Sequence, residues 1–178
     1  VEARDDMLGM QSFFGPRTFK LWGATLKRDT PPKPIPHVTP DLFVDRELTL
    51  DVGDRTFVLI HAPEGETEDN IVVWMPKEKI VFTGNTFGPV WLSMPFLNTL
   101  RGDKPRRVRT YLQSLAMVRD LGAEIVITGH GEPIIGKERI KADLDRMDAA
   151  VRHVRDYTLA GMKAGKTVHQ LMREFAFP

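Results

Sequence analysis

Cysteine is absent from all 178 residues. That removes disulfides, thiolate nucleophiles and cysteine-ligated zinc in one step. It leaves the compartment open, because reducing and oxidising surroundings both accept a chain without thiols. Long apolar runs are also missing: none approaches the roughly 20 residues that span a bilayer, so no membrane span is expected. The opening residues, VEARDDMLGM, show no basic region ahead of an apolar one, and hence no signal-peptide pattern. Neither sign of charge dominates. Lys+Arg number 25 against 24 Asp+Glu, a net charge of +1, so no global field recruits nucleic acid or an acidic membrane. What remains is ordinary for a folded domain: 42% hydrophobic and 28% charged residues, in a chain long enough for a real core.

Along the chain, residues 1–30 read as a loop or short helix packed on a body. The stretch DTPPKPIPHVTP, residues 29–40, holds too many prolines for a helix interior or a central strand, and runs extended over the surface. ELTLDV (47–52) and RTFVLIHA (55–62), joined by Gly53-Asp54, form a hairpin. NIVVWM (70–75) and KIVFTG (79–84) follow as strands around a Pro76-Lys77-Glu78 turn. A long irregular stretch occupies 85–104. Pro105 opens a helix that Gly122 ends. AEIVIT (123–128) is a buried strand, 129–133 a turn-dense loop, 137–164 a long amphipathic helix and 167–175 a short one. The order predicts a single α/β layered domain over 1–178: an irregular proline-rich entry to residue 44, a β-rich core over 45–135, and helices from 137.

Three short loops draw attention together: Gly65-Glu66-Thr67, Gly84-Asn85-Thr86 and Gly129-His130-Gly131. Each follows a predicted strand. Glycine lets the backbone turn sharply and leaves the polar side chain projecting from the sheet edge. Carboxylate, amide and imidazole are oxygen and nitrogen donors suited to a divalent metal. For each loop taken alone, the plainer alternative is a turn glycine beside a solvated or capping residue. Glu64, Glu68 and Asp69 read as solvated loop charges, with Glu64 the competing ligand if the register shifts by two. His61 supports the loop or is structural. His37, His153 and His169 are surface or packing residues, and Trp74 is strand core. Trp91, with Phe87, Met94, Phe96 and Leu97, makes the long loop too apolar for open solvent; it reads as the wall of a pocket or an interface. Lys104, Arg106, Arg107 and Arg109 read as a solvated helix face.

The run EGETEDNIVVWMPKEKIVFTGNTFG, followed by TGHGEPI, resembles the second half of a metallo-β-lactamase-fold hydrolase. Gly65-Glu66-Thr67 stands where that superfamily has a Gly-His-Thr loop, Gly84-Asn85 where it has Gly-Asp, and Gly129-His130-Gly131 at its last ligand loop. The resemblance covers residues 45 to 135. It implies the C-terminal half of an αβ/βα sandwich with a mixed sheet and covering helices. Glutamate in place of histidine in the first loop points to the alkyl sulfatase-like branch. So do NTLRGDKPRRVRTYLQSL and DYTLAGMKAGKTVHQL, the latter resembling the passage into a dimerisation region. The resemblance implies zinc, one or two ions, held by Glu66, His130 and Asn85. It places Thr99 and Arg101 on the sulfate group of a small-molecule substrate, and sets Trp91 beside its alkyl tail. No catalytic residue is assigned.

Two departures qualify what it implies. The family's His-x-His-x-Asp-His motif has no counterpart: no two of His37, His61, His130, His153 and His169 sit at that spacing. The expectation is therefore a piece of a longer protein, whose N-terminal half-domain supplies that cluster. Asn85 also replaces a carboxylate, and a neutral amide is a poor ligand that cannot bridge two cations. The alternatives are a degenerate, non-catalytic or partner-binding relative, and a hydrolase of the same fold acting on a lactam, lactone or thioester.

Overall fold

The structure is a computed structural model that describes residues 39–88, 90–97 and 105–178, together with 13, 15–17, 19–21, 23–25 and 27. Most of the proline-rich stretch therefore lies outside the described residues, as do His37, Thr99 and Arg101. Six strands form one sheet in the order of the chain: β1 (Glu47–Val52), β2 (Arg55–His61), β3 (Ile71–Met75), β4 (Ile80–Gly84), β5 (Ile125–Thr128) and β6 (Ile134–Ile135). The first four pair antiparallel, β5 runs parallel to β4, and β6 returns antiparallel to β5. The sheet is thus mixed, as expected. The parallel step needs a crossover, and α1 (Val108–Asp120) supplies it; α2 (Lys137–Lys163) and α3 (Val168–Glu174) follow β6.

Each strand pair has a local cause. Gly53 sits at a φ of +64° between β1 and β2, the left-handed conformation that a tight hairpin turn requires. Val, Ile and Phe alternate through β2 to β5, so each strand has two apolar faces. On one face Val72, Trp74, Val81, Val126 and Ile134 meet Tyr111, Leu112, Leu115 and Val118 of α1 and Ile140, Leu144, Met147 and Val151 of α2. These residues are the buried core, and their 3.6-residue spacing on both helices is the amphipathic pattern the sequence shows.

The opposite face is built from a continuous row. Register places Leu48, Leu59, Val73, Phe82 and Ile127 side by side, with Leu50, Phe57, Ile80 and Ile125 in neighbouring positions. None of these joins the buried core, and all are half-buried. Ile71 and Ile135, on the same face, are 40% and 65% exposed. Antiparallel sheets usually alternate apolar with polar; β1 does so, whereas β2 to β5 are largely apolar on both sides.

Two boundaries differ from the sequence reading. Pro105 does not open α1. The helix starts at Val108 with Arg107 extended before it, and the Arg106 amide is bonded to the Leu97 carbonyl at 2.8 Å. Strand β6 was not foreseen, since two residues after a proline give no periodicity to read. Elsewhere the ends agree within two residues, and Gly122 at a φ of +66° follows the end of α1 as expected.

Candidate metal centre

Strand direction decides where the three candidate loops lie. β2 and β4 are both antiparallel to β3, so they run the same way, and β5 is parallel to β4. The C-terminal ends of β2, β4 and β5 therefore share one edge of the sheet. Those ends carry the Glu66, Asn85 and His130 loops.

The loops are also tied to one another. The Glu66 loop is closed by the Ala62 amide on the Asn70 carbonyl at 2.8 Å and by the Glu64 amide on the Thr67 carbonyl at 2.9 Å. Asn70 Nδ2 then donates to the Ala62 carbonyl and to Thr86 Oγ1, each at 3.1 Å. Thr86, buried, donates in turn to the Thr83 carbonyl at 2.6 Å. On the other side, the Gly129 amide bonds the Gly84 carbonyl at 2.8 Å. A Cβ on Gly129 would stand 2.3 Å from Asn85 Oδ1, so the amide of Asn85 lies directly against the residue before His130. Glycine is needed there for close approach, as at Gly65, where a Cβ would meet Asn70 at 2.6 Å and Thr86 at 2.9 Å.

Glu66 is half-buried, Asn85 is half-buried and His130 is exposed. Carboxylate and imidazole are ordinary zinc ligands, and zinc takes about four donors. No group of three or more His, Asp or Glu side chains among the described residues could hold a metal ion. The donors on these loops therefore fit a metal as part of a set that further residues would complete.

The charges around Glu66 are not where the sequence suggested. Glu64 is 1% exposed, not solvated, and accepts from Arg107 Nε at 2.6 Å. Burial excludes water from a carboxylate and makes a partner necessary. Glu68 reaches Arg107 Nη2 at 3.3 Å. The hydrogen bond to Glu64, reinforced by its charge, pushes the Arg107 guanidinium even higher than usual. Arg106 Nη1 donates to the Gly65 carbonyl at 2.7 Å. Arg106 and Arg107 thus face the loop rather than forming a solvated helix face. Their partners lie some forty residues upstream, a separation that periodicity does not register. His61 Nε2 is 2.8 Å from the Glu68 carbonyl, a supporting role as expected.

Trp91 donates its indole N–H to Asp143 Oδ2 at 2.9 Å and meets the Phe87 ring edge-on at 5.7 Å. Phe87 is fully buried in the core and is not part of a pocket wall. Met94 and Phe96 are 43% and 56% exposed, and Leu97 packs against the core. No helix among the described residues is long and apolar enough to cross a membrane.

Comparison with known proteins agrees with this fold. The family model of the metallo-beta-lactamase superfamily matches residues 3–130. A linear primary-alkylsulfatase from Pseudomonas sp. (strain ATCC 19151) is 29% identical over 139 residues, covering 78% of this chain and 25% of the relative. The chain thus spans about a quarter of the length of that curated relative. Among solved structures, the stereoselective inverting sec-alkylsulfatase Pisa1 from Pseudomonas sp. superposes with a TM-score of 0.68 at 18% identity, over 79% of this chain and 22% of the other. A metallo-beta-lactamase family protein from Thermus thermophilus gives 0.56 at 18% identity, over 84% and 51%.

Proposed function

From the premise that this chain belongs to the metallo-beta-lactamase superfamily and is an alkyl sulfatase-like relative, we propose that it forms part of a metal-dependent hydrolase of alkyl sulfate esters. The observation that carries the proposal is the common edge. Three strands end there in parallel, and their loops, bearing Glu66, Asn85 and His130, are bonded to one another. Members of the superfamily bind metal ions, generally zinc or iron. Glu66 and His130 would hold zinc here, with Asn85 a weak neutral donor. A bound zinc would supply water that is activated near neutral pH.

The remaining work belongs to the chain's own side chains. Arg101, whose planar guanidinium matches a sulfate group, and Thr99, through its hydroxyl, would hold the sulfate oxygens. With its N–H committed to Asp143, Trp91 would present only ring surface to an alkyl tail. The half-buried second face of the sheet is the surface against which an N-terminal half-domain would pack, bringing the missing histidines. The exposed Met162, Val168 and Met172 on α2 and α3 accord with a homodimer contact.

The test is metal analysis of the intact protein, with sulfate release from a medium-chain alkyl sulfate measured on the same sample. One or two zinc ions per chain with sulfate release support the proposal. Zinc without sulfate release directs the search to lactam, lactone or thioester substrates. A metal-free, inactive protein favours a non-catalytic, partner-binding relative, the reading that Asn85 itself recommends by supplying an amide where a carboxylate would bind.

A further inference from the structure

The Glu66 loop has a backbone that its own sequence does not favour. Glu64 sits at a φ of +68°, a left-handed conformation that an L-residue with a side chain rarely adopts and that persists only where the surroundings over-determine it. Those surroundings come from the N-terminal part of α1 and the two residues before it. Arg107 Nε holds the buried Glu64 carboxylate at 2.6 Å. Ser114 Oγ donates to the Pro63 carbonyl at 2.7 Å, which fixes the peptide entering Glu64. Arg106 Nη1 donates to the Gly65 carbonyl at 2.7 Å, which fixes the peptide entering Glu66. Arg106 also binds the Leu97 carbonyl through its own amide at 2.8 Å, so one residue joins the Glu66 loop to the end of the long loop that carries Trp91.

We propose that Arg106 and Arg107 are positioning residues: they clasp the strained turn at residues 63–65 and so set the direction in which Glu66 presents its carboxylate. This rests on the metal-ligand role of Glu66 proposed above. It goes beyond that role by placing control of the ligand in the extended segment that leads into α1 rather than in the strand that precedes the loop. The clasp is asymmetric. The Glu64 end is buried, whereas the Arg107 side chain is 65% exposed, so replacing the arginine strands a carboxylate that water barely reaches, while the core behind it is untouched.

The experiment uses the intact protein with Arg107→Gln, Arg107→Lys and Arg106→Gln. Hydrogen exchange of the metal-free protein is read at amides 64–68 and, as an internal control, at Leu115 and Leu144 in the core. Arg107→Gln and Arg106→Gln are expected to speed loop exchange about tenfold or more and to leave the core amides unchanged, with Arg107→Lys intermediate. The zinc-loaded protein is expected to release its ion about 10- to 100-fold faster in the Gln variants, the usual effect of losing a residue that orients a ligand. Loop and core amides accelerating together would show a merely structural role and overturn the proposal. So would zinc release within twofold of the parent. A parent protein that takes up no zinc sinks the hydrolase reading instead, and the loop exchange rates then decide the clasp by themselves.

Discussion

Asn70 Nδ2 and Thr86 Oγ1 lie 3.1 Å apart, and this bond joins the loop after β2 to the loop after β4. The same amide nitrogen closes its own loop on the Ala62 carbonyl. Two candidate ligand loops thus share one anchor. Asn70→Ala removes both bonds and leaves the Ala62 carbonyl to find another partner. Such a loss costs about 1–3 kcal/mol. The expected outcome is a lower urea midpoint at unchanged slope, together with weaker zinc retention by the intact protein. Asn70→Asp, which cannot donate to either oxygen, should be no better than alanine.

Asp143 is 7% exposed on α2 and receives the Trp91 indole at 2.9 Å and Arg146 at 2.8 Å. Asp143→Ala strips the half-buried Trp91 indole N–H of its acceptor and frees the long loop from the helix. The expected signature is a red-shifted tryptophan emission in a Trp22→Phe background, where the other two of the three tryptophans are Trp91 and Trp74, which stays in the core. A stability loss of about 1–3 kcal/mol should accompany it. An unshifted spectrum would mean that Phe87 alone holds the Trp91 ring.

The strands and helices were legible because their signals are local. Alternation marked β1, short apolar runs bounded by turn residues marked β2 to β5, and helical spacing marked Val108 to Val118 and the long run after Gly136. The three loops that meet at one edge of the sheet were legible as turns too, since glycine beside a single polar residue after each apolar run is a short-range pattern. What could not be read is what holds those loops. Glu64 looks like any acidic loop residue until Arg107 is brought to it from 43 positions away, and Arg106 looks like part of a basic run. The burial of Phe87 was hidden for a similar reason: it sits in an apolar loop, and only the packing of α1 and α2 on the sheet makes it core.

Tyr111 is fully buried, and its hydroxyl has no hydrogen-bond partner among the described residues. Burial pushes its phenol up, against a smaller opposing effect of Arg106. The folded state therefore keeps the proton more tightly than the unfolded chain, whose tyrosines titrate near 10. The stability from the neutral phenol is fully present below about pH 10 and is lost as pH rises through the higher folded value. Tyr111→Phe should flatten the fall of the urea midpoint above about pH 10. At neutral pH it should be neutral or stabilising by about 1 kcal/mol, since it removes an unpaired buried hydroxyl. A clear destabilisation at neutral pH would reveal a partner for that oxygen in the intact protein.

Asn85 offers the most direct test of the metal site. Its side chain lies against Gly129, beside His130, and Asn85→Asp changes charge with almost no change in shape. If the loops converge on a metal, the added carboxylate should raise zinc affinity of the intact protein by on the order of tenfold, because charge on the ligands sets affinity for a divalent ion. The chain of 178 residues alone should bind zinc more weakly than micromolar by calorimetry, since Glu66 and His130 fall short of the usual four donors. Gly129→Ala is the matching negative control: its Cβ would overlap the Asn85 amide and should lower affinity in both backgrounds. Equal zinc affinity in Asn85→Asp and the parent would place the ion away from this loop, and would leave the Asn85 turn as a structural tie between β4 and β5.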